Sequence, residues 1–359
     1  MHSKQAPISP ALSQQLHIYR LLLSVLVIFI HAFPSISKGE AAVMRDCLWL
    51  FRTKYILSQI ISRSAVPGFF FTSAFLLFRK DFDWKQNFRR KLKGLGTPYL
   101  ILNLGWILLF FLLQLFPATA GIFSSPDNQI RQWGWMQWLN ALFGLPPDLL
   151  PFLYPTWFLR DLLILNLFAG LLRRLLDRLP LPTLLLCLYL WFFHAEANMS
   201  LPDLQGICFF VFGAWFGRKG LKLEMFNHLR MLPLFLLYLL LVWVDIRNVY
   251  RPEFLPVHNM NLMLGTFLLF SLAGLLQRSP LCRLLLPLSA FHFSIYLFHE
   301  FTTQTFRKLA LGLLPLSPLS LLLQYLLIPF VVVLFCILLS LLLRRILPRF
   351  YTLLTGGRS

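Results

Sequence analysis

Arg20 and His31 stand eleven residues apart within a long apolar run. Eleven residues make close to three helical turns, so both would project from one face, about 16 Å apart along the axis. Histidine has the unperturbed pKa nearest neutrality, which suits a general base or a group carrier. Arginine holds carbonyl oxygens and phosphates. A second apolar run contains Arg63 just before Pro67 and Gly68. A later one opens with Trp157-Phe-Leu-Arg160-Asp161, where Trp157 and Arg160, three apart, are neighbours on a helix. Near the end, Ser289, His292, Tyr296, His299 and Thr303 fall on one stripe at spacings of three and four, with Glu300 beside it. Each residue also has a plainer reading. A lone membrane histidine commonly only packs, and Arg20 is placed to snorkel to an interface.

These residues must be positioned by apolar helices. Hydrophobic residues make up 58% of the 359 and charged ones 13%, where a soluble domain carries roughly a quarter charged. A helix needs about 20 apolar residues to cross the hydrocarbon core. The runs predict spans near 16–36, 55–78, 98–117, 155–172, 181–196, 203–218, 230–245, 258–276, 285–305 and 320–343. The expected fold is an all-α membrane protein, a bundle of about ten transmembrane helices. It forms a single domain over 1–359, with short polar tails at 1–15 and 344–359.

An even number of spans puts both termini on one side. If that side is the cytoplasm, the inside segments hold Lys4, the cluster Arg79 to Lys93, Arg173, Arg174, Arg178, Arg218, Lys219, Lys222, Arg230, Arg278, Arg283 and the C-terminal arginines. The outside segments, with Lys38, Arg45, Arg52, Lys54, Arg131, Arg247, Arg251, Arg307 and Lys308, hold fewer than half as many. The positive-inside rule then makes both termini cytoplasmic. His31-Ala-Phe-Pro34 is too bulky for a cleavage site, so the first span is read as retained. The largest outer segment, 118–154, carries Trp133, Trp135 and Trp138 and reads as an interfacial anchor in preference to a lid.

A charge at mid-span costs about 2.5–3.5 kcal/mol on insertion scales, so such residues face the bundle interior. Depth places His31, Arg63, Trp157, Arg160, His299 and Glu300 in the outer half, where a convergent polar pocket is expected. Arg20 falls towards the inner end. The net charge of +19 is explained by the loops, and no basic surface with interleaved aromatics speaks for nucleic acid. Five cysteines without paired spacing predict neither a metal site nor a disulfide framework.

At these positions the chain resembles the acyltransferase type 3 family of bacterial integral-membrane acyltransferases. The resemblance rests on Arg20 to His31, Val66-Pro67 to Phe69-Phe70 to Ser73, Trp157-Phe-Leu-Arg160, and Ser294-Ile-Tyr296-Leu-Phe-His299-Glu300, in family order across nearly the whole chain. Ala74 departs from the pattern, which often has Gly there. The resemblance implies transfer of an acyl group, commonly acetyl, from cytoplasmic acyl-coenzyme A. The acceptor would be a hydroxyl of an envelope carbohydrate or lipid-linked glycan. It implies His31 as catalytic residue, and Glu300 or Arg20 could set its tautomer or charge. His299 is a further acid–base candidate, and Arg20, Arg63, Trp157, Arg160 and Tyr296 are candidates for binding donor or acceptor. The cluster Arg79 to Lys93 could meet coenzyme A phosphates, or could simply follow the positive-inside rule. A secondary transporter or a flippase of an envelope precursor is the rival reading, since intramembrane charges and broken helices suit it too.

Overall fold

The computed structural model describes residues 8–80, 83–123, 128–146, 149–194, 200–227, 231–249 and 251–357. Lys4, Pro147, Arg230 and Arg358 lie outside the described residues. Among the described residues every regular element is helical. In chain order these are α1 (Pro10–His31), α2 (Lys38–Asp46), α3 (Leu48–Phe78), α4 (Trp84–Leu115), α5 (Pro117–Phe123), α6 (Trp135–Phe143), α7 (Tyr154–Leu167), α8 (Ala169–Arg178), α9 (Pro180–Phe193), α10 (Leu204–Lys219), α11 (Met231–Arg247), α12 (Pro252–Arg278), α13 (Cys282–Leu313), α14 (Pro318–Ile346) and α15 (Pro348–Leu354).

Six of them, α1, α3, α4, α12, α13 and α14, are long and apolar enough to cross a membrane. The pair α7 and α8, bent by 58° at Phe168, makes a seventh if it is one broken span. The other three expected spans are present as α9, α10 and α11, of 14, 16 and 17 residues. At 1.5 Å per residue these reach only about 21–26 Å, short of a hydrocarbon core about 30 Å thick. Among the described residues six or seven helices reach full span length, where hydropathy alone predicts about ten. The chain is a multi-pass membrane protein.

Helix α1 is central and packs on α3, α12, α13 and α14. Polar side chains fix its register. Gln15 Nε2 donates to the Phe270 carbonyl (2.9 Å), Tyr19 Oη to the Thr266 carbonyl (2.9 Å) and Ser24 Oγ to the His292 carbonyl (3.0 Å). The helix starts at Ser9, whose hydroxyl caps Leu12 N–H, with Pro10 following in the first turn. It stops at His31 because Pro34 disfavours helical backbone just before it. In α3, Pro67 has no N–H to offer the Arg63 carbonyl, and the preceding turns relax into a π-helical segment (Ile56–Ile61) and a 3-10 turn (Ser62–Ser64). The outer surface of α14 is an apolar stripe, including Leu323, Leu327, Phe330, Leu334 and Leu338, all exposed at spacings of three and four. Such a face belongs against lipid.

The most extensive helix pair is α10 on α3. Its closeness depends on small residues. A Cβ built on Gly213 would lie 2.1 Å from the Phe71 carbonyl oxygen, and one on Gly217 2.5 Å from that of Phe75. Backbone that close leaves room for hydrogen alone, as small-residue packing between membrane helices requires. Gly213→Val should force the helices apart, costing about 1–3 kcal/mol or more, and should sharply reduce monodisperse protein on size exclusion in detergent. Gly105→Val, where a Cβ meets nothing within 4 Å, should leave the yield unchanged.

Candidate active site

His31 ends α1 and faces residues from two other elements. Its Nδ1 lies 2.7 Å from the Tyr154 hydroxyl and 3.1 Å from Glu300 Oε2. The Glu300 contact has ion-pair distance without well-aligned hydrogen-bond angles. Gln304 Nε2 donates to Glu300 Oε1 (3.0 Å), which leaves Oε2 for the histidine. His299 stands against the same ring, centroid to centroid 5.0 Å. His299 Nδ1 faces the Tyr296 carbonyl at 2.6 Å, so Nδ1 carries the proton and Nε2 is the acceptor. Both His299 Nε2 and Glu300 Oε2 are buried without a hydrogen-bond partner among the described residues.

A cavity of about 230 Å³ opens over His31, lined also by Ile30, Arg63, Val66, Tyr154, Trp157, Asp203 and Tyr296. His299 and Glu300 lie behind His31 and do not line it. Arg63, exposed like Tyr154, is oriented by Gln59, whose Oε1 accepts from Nε at 3.0 Å. Tyr296 directs its hydroxyl to the Pro155 carbonyl (2.6 Å) and presents its ring to the cavity. Arg20 lines a second, larger cavity of about 430 Å³ on the other side of the bundle, with His17, Lys91 and His292.

The structure thus brings together His31, His299, Glu300, Arg63, Trp157 and Tyr296, and sets Arg20 apart. Arg160 belongs to neither cavity. Its guanidinium pairs with Asp161 (2.8 Å) and donates from Nη1 to the carbonyls of Phe143, Gly144 and Leu149 at 2.9–3.0 Å. It staples the segment after α6 to the start of α7. Asp161 in turn accepts from Asp203 N–H (2.8 Å), at the start of α10.

Behind His31 lies a buried ion cluster that sequence reasoning did not single out. Ser37 caps α2 by accepting from Glu40 N–H, and the Glu40 carboxylate reaches back to Ile36 N–H (2.9 Å), a variant of the capping box. Arg307 Nη2 donates to both Glu40 oxygens (2.9 and 3.1 Å) and to the Pro34 carbonyl (2.7 Å), and Lys54 Nζ donates to Oε1 (3.2 Å). Arg307 Nη1 also reaches the His31 carbonyl at 3.5 Å. The chain leaving His31 is held by this cluster. One signal for it was present: Arg307 continues the stripe through Tyr296, His299 and Thr303 by one more step of four. Tyr154, just before the Pro155-Thr-Trp157 motif, carried no signal.

A family model described as an acyltransferase domain, Acyl_transf_3, matches residues 14–344. The chain belongs to the acyltransferase type 3 family. It is also similar to the succinoglycan biosynthesis protein ExoH of Rhizobium meliloti (strain 1021), with 28% identity over 198 residues. That match covers 53% of this chain and 49% of ExoH, so it spans about half of each. No solved structure matches.

Glu40 is the one carboxylate between two cations, so the cluster makes an ordered prediction. Glu40→Gln strands Arg307 and Lys54 as unpaired buried charges, a loss of about 3–5 kcal/mol. Lys54→Met leaves the neutral Arg307–Glu40 pair and should be nearly neutral, because replacing a buried charge with an apolar side chain often is. Thermal unfolding in detergent should rank the variants in that order. Arg307→Met, which also releases the carbonyls after His31, should fall between them in stability and lose more activity than Lys54→Met.

Proposed function

We propose that the enzyme transfers an acyl group, acetyl in the simplest case, from cytoplasmic acyl-coenzyme A to a hydroxyl of an envelope polysaccharide or its lipid-linked precursor, with His31 as general base. The observation that carries this reading is the contact of His31 Nδ1 with the Glu300 carboxylate at the floor of the smaller cavity. In this reading Nδ1 carries the proton and donates it to the Tyr154 hydroxyl (2.7 Å), with the Glu300 carboxylate 3.1 Å away favouring a positive ring, and the Nε2 lone pair is left for the acceptor. Nε2 removes the acceptor hydroxyl proton as the oxygen attacks the thioester carbonyl. The tetrahedral oxyanion collapses, the carbon–sulfur bond breaks, and the imidazolium returns its proton to the leaving thiolate. Glu300 stabilises the imidazolium in between, and Arg63, lining the same cavity, offsets the oxyanion charge. The likeness to a succinoglycan biosynthesis protein supports a polysaccharide acceptor.

In this reading both termini are cytoplasmic, the Arg20 cavity opens to the cytoplasm of a bacterial inner membrane, and the three short helices complete a bundle of about ten passes. Arg20 and Lys91 then meet the coenzyme A phosphates. A histidine that itself carries the acyl group would use the same Nε2.

Membranes supplied with labelled acetyl-coenzyme A and envelope glycans should move label into the glycan fraction. His31→Ala should lower the rate by about 10²–10⁴, the usual span of general acid–base catalysis, with Glu300→Gln next and Tyr154→Phe least. Unchanged labelling with His31→Ala would contradict the assignment. His31, His299 and Glu300 also offer ligand atoms within 4.8 Å of one another, a donor set that suits a zinc-like ion. The general-base mechanism predicts full activity after exhaustive dialysis against a chelator, and loss restored by zinc would replace it.

A further inference from the structure

The two cavities share three lining residues and only three: Phe69, Phe158 and Tyr296. Four helices contribute to both cavities: along the chain α1 and α13 run from the Arg20 cavity to the His31 cavity, and α3 and α7 run the opposite way. On α1, Ser24 lines the Arg20 cavity and Val27 the His31 cavity. Three residues of helix rise only about 4.5 Å, so the partition is about one turn thick. On α3, Thr72 and Val66 lie on opposite sides of Phe69. On α7, Leu159 and Trp157 flank Phe158, and on α13 Phe293 lies one turn before Tyr296.

The three shared rings are unequal. Tyr296 is tied by its hydroxyl to the Pro155 carbonyl. Phe158 lies between the other two, with centroids 5.7 Å from Phe69 and 5.8 Å from Tyr296, and it packs edge-on to Phe70 at 4.7 Å. It has no polar anchor, so ring rotation breaks no hydrogen bond. Removing this one ring opens the partition at its centre.

We propose that Phe158 is the gate between the two cavities and the residue that limits the size of acyl group able to reach His31. The assignment rests on the acyl-transfer reading for its second half only. A donor held by the Arg20 cavity must send its thioester end past this aromatic layer. The space released when the Phe158 ring turns is what the acyl group passes through, so a bulkier acyl chain is excluded by the same ring that separates the cavities.

Two measurements test it, each on the full-length protein in membranes. In a Val27→Cys variant, a small charged methanethiosulfonate reagent is applied to one membrane face at a time, with modification read on the residue-27 peptide by mass spectrometry. With Phe158 intact, Cys at 27 should react only from the face onto which the His31 cavity opens. With Phe158→Ala, or with Phe158→Leu should the alanine variant misfold, it should react from both faces. Reaction from both faces with Phe158 intact, or from one face in every variant, overturns the gate. In the second measurement the same Phe158 variants should raise the butyryl-to-acetyl transfer ratio by about tenfold or more, the scale of discrimination that a methylene or two supplies in an apolar pocket. An unchanged ratio overturns the selectivity role. If even the parent protein transfers no acyl group, the proposed function fails while the thiol labelling still decides the gate.

Discussion

One buried carboxylate, Glu40, holds two cations from other helices, Arg307 of α13 and Lys54 of α3. Unpaired, each charge would be prohibitively costly at this depth. Paired, they lock α2, α3 and α13 around the turn that leaves His31. Arg307 does the most specific part, because its guanidinium satisfies the Pro34 carbonyl while it pairs with Glu40. A helix C-terminus leaves its last carbonyls without intrahelical partners, and here a buried arginine supplies one. The position of the imidazole is thus set by an ion cluster that does not line the His31 cavity.

The same economy runs through the bundle. Helix α1 carries Arg20 into one cavity and His31 into the other, and Gln15, Tyr19 and Ser24 fix its register against α12 and α13. Helix α3 can approach α10 closely because Gly213 and Gly217 present no side chain, and that contact places Phe69 in the aromatic layer. Arg160 spends its donors on backbone carbonyls, which anchors the segment that delivers Tyr154 and Trp157. In the proposed reaction, binding, proton transfer and separation of the two cavities fall to different side chains on shared helices.

Much of this was legible in the residues, and the exceptions have physical reasons. Helical periodicity placed His292, Tyr296, His299 and Thr303 on one stripe, and depth along the spans put His31, Arg63 and Glu300 at one level. Periodicity cannot tell which way a guanidinium turns, so Arg160 read as a binding residue where it is a structural staple. Lys54 and Arg307 stood near predicted span ends and passed for loop charges. Helix α13 runs on to Leu313, two turns beyond the expected 305, and carries Arg307 into the interior. Hydropathy registers apolar content before length, so it could not show that α9, α10 and α11 are shorter than the other predicted spans. Tyr154 was invisible because contacts between distant segments leave no local pattern, whereas Ser37-Lys-Gly-Glu40 is a readable capping-box pattern that marks a helix start and says nothing of the two cations Glu40 holds.

In the proposed reaction the acyl end of the donor crosses the aromatic layer to reach His31. Photo-crosslinking with an acyl-coenzyme A that bears a diazirine on its acyl group, followed by peptide mapping, tests this most directly. Crosslinks to Ile30, Val66 or Trp157, which line the His31 cavity, are the predicted result. Crosslinks confined to Ser24, Leu162 or Ser289 of the other cavity, under conditions where transfer proceeds, would contradict it and place the chemistry on the Arg20 side.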